Sequence, residues 1–204
     1  MSSQAKFRNL GEKILEKIGS QNKELVYWKN WLQNYEFLAQ YPEDSYAWFT
    51  NVLALKSVDS GNYGVGSIIV DSKDKLVAMG HNLVYSPSFR SDLHAEMVVL
   101  NTFEETNPQI TTLKAYTLYT SLESCPMCLI RLISSGIKRV VYASSDPIGG
   151  MTDRISQFPS LWKELSEPQV FTKALCSPEL SKASNEIMLI NAAELLEILK
   201  KRRE

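Results

Sequence analysis

The feature that most restricts the possible folds of this chain is a pair of short motifs, His94-Ala95-Glu96 and Cys125-Pro126-Met127-Cys128. A zinc ion in a catalytic site takes three protein ligands of nitrogen or sulfur type and keeps a fourth position open for water. His94, Cys125 and Cys128 supply three such ligands. The fold must therefore bring two segments that are far apart in the sequence to one point, where we predict a metal site with Zn²⁺ as its ion.

Both motifs coincide with predicted helix starts. Cys125-Pro126 places a proline at the first helical position, and Ala95 opens an apolar pattern with helical spacing. The unpaired N–H groups and partial positive charge of a helix N-terminus lower the pKa of a thiol and favour the thiolate that a metal requires. Because His94 and Glu96 are two residues apart, they can converge only from the first turn of a helix that points end-on at the metal.

The rest of the chain alternates between helical and strand periodicity, which predicts an α/β fold. Residues 1 to about 40 are predicted to be helical, and another helix begins at Asp44 or Ser45 and ends near Lys56. Strands are predicted at Gly66–Val70, Leu76–Met79, Ala115–Thr120, Arg139–Ala143 and, at an edge, Gln169–Leu175. Further helices are predicted at Ala95–Phe103, Cys125–Gly136 and Ala192–Lys201, with loop and short helix over 146–166. The first two strands form a hairpin, and the strand–helix–strand succession around Cys125 predicts a parallel pair.

The length and the charge balance limit the remaining possibilities. At 204 residues the chain is slightly longer than a typical domain of ~100–200 residues, so we predict a helical extension over 1–42 and a main domain over 43–204. Lys plus Arg is 22 and Asp plus Glu is 23, which gives no global positive field for nucleic acid. The basic run at 200–203 is interpreted as a solvated helix end.

The apolar stretches and the cysteines of the sequence indicate the cellular compartment of the protein. The segment from Met1 to Leu10 lacks an apolar signal core, and no stretch approaches the ~18–20 apolar residues that span a bilayer. Three cysteines, two of them in a C-x-x-C motif, are typical of metal binding in a reducing compartment. We therefore expect a cytoplasmic protein without membrane contact, in which Cys176 is a small buried apolar residue.

Taken together, the motifs resemble the zinc-dependent cytidine and deoxycytidylate deaminase superfamily, and within it the branch of bacterial guanine deaminases and tRNA adenosine deaminases. The segments that carry the resemblance follow one another in the order Gly64–Val70, Gly80–Asn82, Leu93–Met97 and Cys125–Cys128. The H-x-E and P-C-x-x-C signature of zinc deaminases is matched except at Ser124, which replaces proline. The resemblance covers about residues 44 to 180 and leaves residues 1 to 40 outside.

The resemblance implies a three-layer α/β/α fold with a mixed five-stranded sheet, and a main domain that is a zinc-dependent deaminase domain. It implies Zn²⁺ on His94, Cys125 and Cys128, and Asn82 hydrogen-bonding the target base. Glu96 is then the general acid and base, since the Glu of this signature moves protons and does not bind the metal. A homodimer is expected from the resemblance alone.

Three alternatives remain open at this stage. A structural zinc site would need a fourth ligand, for which His81 or Cys176 is available. The chain could also be an inactive partner-binding protein with residues 1 to 40 as a docking arm. Aromatic residues such as Trp48, Phe158 and Trp162 could stack on a base, although such spacing is more typical of core residues.

The substrate is the least constrained part of the prediction. The segment Asp146–Met151, with Pro159 and Trp162, is similar to guanine-deaminase-like bacterial sequences. We therefore expect a free base or nucleoside, a guanine-like purine first. Adenosine in tRNA is the second hypothesis and cytosine compounds are the third. Nucleic acid is less favoured because the net charge of −1 offers little of the basic surface that holds flanking nucleotides.

Overall fold

A computed structural model describes residues 3–19 and 22–204. Its helices are α1 Ser3–Glu16, α2 Lys23–Asn34, α3 Asp44–Asp59, α4 Ala95–Thr106, α5 Pro126–Ser135, α6 Ser160–Ser166, α7 Pro178–Leu189 and α8 Ala192–Lys201. Its strands are β1 Gly66–Asp71, β2 Leu76–His81, β3 Tyr116–Leu122, β4 Arg139–Ser144 and β5 Val170–Lys173, and a 3₁₀ helix spans Thr152–Gln157. None of the helices in this part of the chain has both the length and the apolar character that a bilayer crossing needs.

The five strands form one mixed sheet in the order β2-β1-β3-β4-β5. β1 lies antiparallel to both β2 and β3, whereas β3, β4 and β5 run parallel to one another. The predicted hairpin, the parallel pair and the edge strand are therefore confirmed. Since β3 and β4 are parallel neighbours, their carboxyl ends lie at the same edge of the sheet.

Helices cover both faces of the sheet, as the predicted three-layer architecture requires. Alternate strand residues point to opposite faces, so that Ile68 packs with the helices α1, α2, α3 and α7 while Ile69 packs with α4 and α5. At Gly66 the first strand runs so close to α3 that a Cβ would lie 2.4 Å from the carbonyl oxygen of Thr50. Glycine is therefore required where β1 passes α3.

The N-terminal helices share a core with the rest of the chain. Phe7 and Leu15 of α1 and Leu32 of α2 belong to the same buried cluster as Trp48 of α3. The Trp48 indole N–H donates to the carbonyl of Leu32 at 2.9 Å. The prediction of helices over 1 to about 40 is confirmed for 3–16 and 23–34. It is wrong for 35–40, where the backbone leaves the helix at Tyr35 in an extended conformation. Residues 1, 2, 20 and 21 lie outside the described residues, and the boundary between 42 and 43 stays a prediction.

One helix, α7, was not predicted from the sequence. It begins with Ser177 as N-cap, whose hydroxyl accepts the backbone N–H of Leu180 at 3.2 Å, and with Pro178 in its first turn. Its buried face includes the small residues Ala183 and Ser184. Small residues leave a weak apolar period, so the pattern of large side chains did not reveal this helix.

Candidate metal centre and active site

The candidate site lies where α4 and α5 begin, beside the carboxyl ends of β3 and β4. His94 is the N-cap residue of α4 and Cys125 is the N-cap residue of α5, and both have extended backbone conformations. Cys128 lies in the first turn of α5 and is fully buried. The two helix N-termini therefore present their first residues to one point, which is the end-on arrangement that the spacing of His94 and Glu96 predicted.

The geometry of the three side chains fits a tetrahedral zinc ion. The candidate ligand atoms of His94, Cys125 and Cys128 all lie within 4.8 Å of one another. Bonds of about 2.3 Å to sulfur and about 2.0 Å to nitrogen, at a tetrahedral angle, place the two ligand atoms roughly 3.6 Å apart. The observed distance between Cys125 Sγ and His94 Nδ1 is 3.5 Å. The three residues are therefore positioned to bind a metal, and the N/S/S donor set suits zinc.

A fourth protein ligand is absent from this group among the residues that the structure describes. His81 instead places its Nδ1 3.1 Å from the carbonyl oxygen of Asn82. Cys176 packs at the margin of the core on the α3 face. Three ligands with an open position are the arrangement of catalytic zinc sites, so this observation argues against the structural-zinc alternative.

The two thiols differ in their readiness to ionise. The Cys128 thiol donates a hydrogen bond to Cys125, and this contact, with the nearby His94, lowers the pKa of Cys125 to about 4. The same pairing, together with burial, raises the pKa of the Cys128 thiol. One sulfur is therefore a thiolate at neutral pH, and the second must lose its proton when a cation binds.

Glu96 occupies the first turn of α4 and its side chain is only 4% exposed. Burial raises the pKa of its carboxyl group, and the negative charge of Cys125 raises it further. The hydroxyl of Ser124 and the charge of His94 act in the opposite direction. A carboxyl group with a raised pKa next to a metal site holds a proton more readily than an ordinary carboxylate, which suits the role of a general acid or base.

His94 is also influenced by its neighbours. Burial lowers the pKa of its imidazole, but the hydrogen bond to Cys125 and the negative charges of Cys125 and Glu96 outweigh burial and raise it. The candidate ligand is thus held in a site of negative charge, which suits a divalent cation.

A cavity of about 150 Å³ opens beside the three candidate ligands. Its apolar wall is formed by Val65, Ala95, Leu122 and Met188. Ligand pockets for drug-sized molecules start at about 300 Å³, so a cavity of this size suits a small compound such as a single base.

The predicted base-binding residue Asn82 lines this cavity and is 3% exposed. Its Oδ1 accepts the backbone N–H of Val84 at 3.0 Å, and its own backbone N–H donates to the carbonyl of Val65 at 2.9 Å. Within the described residues its Nδ2 has no protein partner, so this amide nitrogen can donate to a ligand. The backbone and one end of the side chain are fixed, and the donor end borders the cavity.

A loop after β4 contributes Asp146, which also lines the cavity. Asp146 Oδ1 accepts the backbone N–H groups of Ile148 at 3.0 Å and Gly149 at 2.9 Å. Glu123 ties this loop to β3, because its carboxylate accepts N–H groups from Asp146 at 3.1 Å and Thr152 at 3.0 Å, and also the Thr152 hydroxyl.

The clamp formed by Glu123 leaves no room for a side chain at position 150. A Cβ on Gly150 would lie 2.5 Å from Glu123 Cδ. Glycine at this position therefore allows the loop to close over the carboxylate, which fixes Asp146 at the cavity wall.

The aromatic residues that were considered for stacking on a base lie outside the cavity. Trp48 is fully buried in the core, and neither Phe158 nor Trp162 is among the residues that line the cavity. Sequence reasoning did not identify the lining residues Tyr63, Val65, Leu122, Glu123, Asp146 and Met188 as part of the site. Asp146 carried a usable signal, since it follows the carboxyl end of a parallel strand. Met188 carried none, because it lies on the helix that was not predicted.

Comparison with known proteins agrees with this geometry. The family model of the cytidine and deoxycytidylate deaminase zinc-binding region matches residues 44–144, which contain all three candidate ligands and Glu96. Residues 44–144 are a zinc-binding region of this deaminase family. The deaminase region also includes Asn82, whereas α1, α2 and the chain after β4 lie outside the match.

Curated relatives carry several different names. The tRNA-specific adenosine deaminase of Bacillus subtilis (strain 168) is 35% identical over 99 residues, covering 48% of this chain and 58% of the relative. The probable cytosine deaminase of Schizosaccharomyces pombe is 31% identical over 105 residues, covering 51% of this chain and 62% of the relative. The chain thus spans somewhat more than half the length of these relatives, and the similarity concentrates in the deaminase region.

Solved structures support the fold. A structure from a study of tRNA:A34 deaminases superposes with a TM-score of 0.56 at 23% identity, covering 68% of this chain and 94% of that chain. A guanine deaminase from Nitrosomonas europaea superposes with a TM-score of 0.55 at 22% identity, covering 83% of this chain and 94% of that chain. The α/β architecture with a mixed five-stranded sheet is therefore that of cytidine-deaminase-like folds.

Proposed function

We propose that the protein is a zinc-dependent hydrolytic deaminase that replaces the exocyclic amine of a nucleobase or nucleoside by oxygen and releases ammonia. One observation carries the proposal: three candidate metal ligands, with no fourth among the residues that the structure describes, lie beside the buried carboxyl group of Glu96 at the wall of a small cavity. A structural metal site has no chemical use for such a carboxyl group.

In this mechanism His94, Cys125 and Cys128 hold the zinc and Glu96 moves protons. Zinc, when bound, lowers the pKa of water toward ~7 and so allows hydrolysis at neutral pH. A Glu96 oxygen accepts one proton from the attacking water and delivers it to the ring nitrogen beside the amine-bearing carbon. Glu96 then transfers the second proton of the water to the amine, which leaves as ammonia, so that a single carboxyl group serves both steps.

We propose a guanine-like purine as the substrate. Guanine presents acceptors at O6 and N7 and an amine donor at N2. The cavity offers a matching pair, since Asn82 Nδ2 can donate and the carboxylate of Asp146 can accept. In this proposal Asn82 donates to an acceptor edge of the base, and Asp146 accepts from its N–H groups.

Adenosine in tRNA is the second candidate, because relatives at 35% and 36% identity are named tRNA-specific adenosine deaminases. Cytosine is the third, on the same kind of support. The net charge of −1 provides no general attraction for tRNA, which is why the free base or nucleoside is placed first.

The proposal includes a cytoplasmic homodimer and a deaminase domain over 43–204 that follows an extension over 1–42. Apolar side chains exposed near the site support a protein contact there: Met127 of α5 is 38% exposed and Ile148 of the Asp146 loop is 93% exposed. Sedimentation of the wild type and of a Met127→Glu, Ile148→Glu double variant tests the dimer, which the added charges should dissociate.

Ammonia release from a panel of substrates tests the function. Zinc-loaded protein is incubated with guanine, adenine, cytosine, their nucleosides and a tRNA anticodon stem-loop. We expect turnover of guanine or a close analogue. Turnover of the stem-loop alone would replace this substrate by the second candidate, and zinc-loaded protein without activity on any substrate would favour an inactive binding protein.

A further inference from the structure

A second cavity lies between α1, the carboxyl end of α3 and the edge strand β2. Its volume is about 340 Å³, and it shares no lining residue with the cavity of about 150 Å³ beside the candidate metal ligands. Cavities that bind small molecules measure roughly 300–1,000 Å³. The second cavity is therefore large enough for a ligand of its own, and α1, which helps to form it, lies outside the deaminase region.

Part of the lining of the second cavity is apolar. Leu10 and Ile14 are four residues apart on one face of α1, and Ile18 follows just after the helix ends. Met79 of β2 completes the apolar lining and is 40% exposed. This apolar surface is therefore accessible to a ligand from solvent.

Three lysines line the same cavity. Lys13 lies on α1, Lys17 just after it, and Lys56 in the last turn of α3. All three are exposed, and within the described residues none of them forms an ion pair. The acidic residue of the lining, Asp59, accepts the backbone N–H of Gly19 with its Oδ1 at 3.0 Å. Three ammonium groups against one carboxylate give the second cavity a positive charge.

The lysines and the apolar side chains together define the chemistry of a ligand. Lys13 and Lys17 are four residues apart, a spacing at which like charges on a helix repel each other. An anion bound between their ammonium groups would remove this repulsion. Lysine stems lie along apolar surface while the ammonium groups stay in water. The second cavity thus suits a ligand that has an apolar body and an anionic end.

The apolar surface continues along β2 beyond Met79. Met79 and Lys56 also line a neighbouring cavity of about 180 Å³, whose other lining residues include Leu53, Leu83 and Val98. Because the two cavities share two side chains, they adjoin each other at Met79. An elongated apolar body can therefore extend from the second cavity into its neighbour.

We propose that the second cavity binds a small organic anion with an elongated apolar body, of the class of medium-chain carboxylates. The apolar chain packs on Ile14 and Met79, and the carboxylate binds the ammonium groups of the three lysines. Because this site shares no residue with the proposed active site, the proposal does not depend on the deaminase function.

Titration calorimetry with octanoate and octan-1-ol tests whether the ligand needs a negative charge. The two probes have the same apolar chain, so octanoate should bind about tenfold more tightly, as three exposed charge pairs of ordinary strength would give. The affinity for octanoate should also fall as salt is added. Equal affinities for the two probes, or no binding of octanoate, would overturn the proposal.

Methyl NMR locates the bound probe without any measurement of activity. In protein with carbon-13 in its methionine methyl groups, octanoate should shift the signal of Met79 and leave that of Met188, which lines the other cavity, in place. The Met79→Leu variant assigns the signal. A shift of Met188 without a shift of Met79 would place the anion in the proposed active site and so contradict the proposal.

A double variant, Lys13→Gln with Lys17→Gln, tests the role of the lysines. It should bind octanoate about fivefold more weakly and octan-1-ol as before, because two exposed charges are lost while good helix formers remain. Lys114→Gln, exposed before β3, is the matched control and should bind octanoate like the wild type. An affinity of the double variant equal to that of the control would exclude the lysines as the anion site.

Sedimentation with phosphatidylserine vesicles tests a lipid surface as the other occupant of this face. We expect the protein to stay in the supernatant. Protein that sediments with the vesicles, while octanoate leaves the Met79 signal unshifted, would replace the proposed carboxylate by a membrane.

Discussion

Two buried carboxyl groups lie in the first turns of helices on opposite faces of the sheet, Asp44 on α3 and Glu96 on α4. Asp44 is fully buried and Glu96 is 4% exposed. Asp44 Oδ2 accepts the hydroxyl of Tyr35 at 2.7 Å and the N–H of Leu38 at 3.0 Å, and Oδ1 accepts the N–H of Ser177 at 2.7 Å. This carboxylate joins the segment before α3 to the segment before α7.

Glu96 has no such set of donors. Its neighbours are the thiolate of Cys125, the thiol of Cys128, the imidazole of His94 and the hydroxyl of Ser124. Both carboxyl groups gain from a helix N-terminus, but only Asp44 has its oxygens saturated with hydrogen bonds. Hydrogen-bond saturation therefore distinguishes a carboxylate that stabilises the fold from one that is free to exchange a proton.

Glu96→Gln provides the largest contrast. Without a proton carrier, turnover should fall by ~10²–10⁴-fold. The midpoint of thermal unfolding and the zinc content should stay close to those of wild type, because the amide has the same shape as the carboxyl group and places no charge in the interior. Steady-state kinetics, calorimetry and metal analysis measure these effects; Glu105→Gln, exposed on the same helix, is the control.

Asp44→Ala should show the opposite pattern. The hydroxyl of Tyr35 and the N–H groups of Leu38 and Ser177 lose their acceptor, so the free energy of unfolding should fall by about 3 kcal/mol, while kcat of the folded fraction is unchanged. Urea unfolding with Asp153→Ala as an exposed control measures the loss. A stable Asp44→Ala protein with impaired turnover would contradict the division between the two carboxyl groups.

Glu123→Gln should affect substrate binding more than either stability or kcat, and so differ from both Glu96→Gln and Asp44→Ala. The amide nitrogen of glutamine cannot accept the N–H of Asp146 or Thr152, so the loop that carries Asp146 loses one tie. We expect about 1 kcal/mol, seen as a roughly fivefold increase in KM with little change in kcat. Glu164→Gln, exposed on α6, controls for the change in charge, and an unaltered KM would show that the clamp does not reach the substrate.

The smallest expected effect is on the free energy of unfolding at alkaline pH, through the buried side chain of Tyr119. Burial, followed by the charge of Glu43, raises the pKa of Tyr119 above its ordinary value of about 10. A pKa raised by folding gives stability that is complete below pH ~10 and is lost as pH rises further, because only the unfolded chain then releases the proton. Tyr119→Phe should reduce the decline of unfolding free energy above pH ~10 by up to about 1.4 kcal/mol per pH unit in urea titrations. An unchanged slope would exclude Tyr119 as its source.

Much of the fold could be predicted because its signals are local. The predicted start of α4 at Ala95 and the predicted end of α5 at Gly136 rest on capping residues, and the structure has α4 begin at Ala95 and Gly136 adopt φ 66° as C-cap of α5. The hairpin followed from strand periodicity and a polar turn. The convergence of His94 with Cys125 and Cys128 was also predictable, because two helix starts had to meet for the motif to make chemical sense.

The wall of the cavity could not be predicted in this way. Tyr63, Leu122 and Met188 line it from a turn, a strand end and a late helix, and their proximity depends on tertiary packing. The role of Glu123 also depends on a contact across the sheet edge, to Thr152. Short-range patterns carry no information on such contacts, so the sequence alone left the substrate-facing side undefined.

The parallel pairing of β3 with β4 brings the ends of the two strands together, with Leu122 opposite Ser144. The segment after β3 carries two of the three candidate metal ligands, Cys125 and Cys128, and the segment after β4 carries Asp146. A chimera that replaces 147–151 therefore changes the loop that carries Asp146 while it leaves His94, Cys125 and Cys128 unchanged. Such a replacement must keep Gly150, where a Cβ would collide with Glu123. It must also leave Thr152 in place, because the hydroxyl of Thr152 donates to the Glu123 carboxylate.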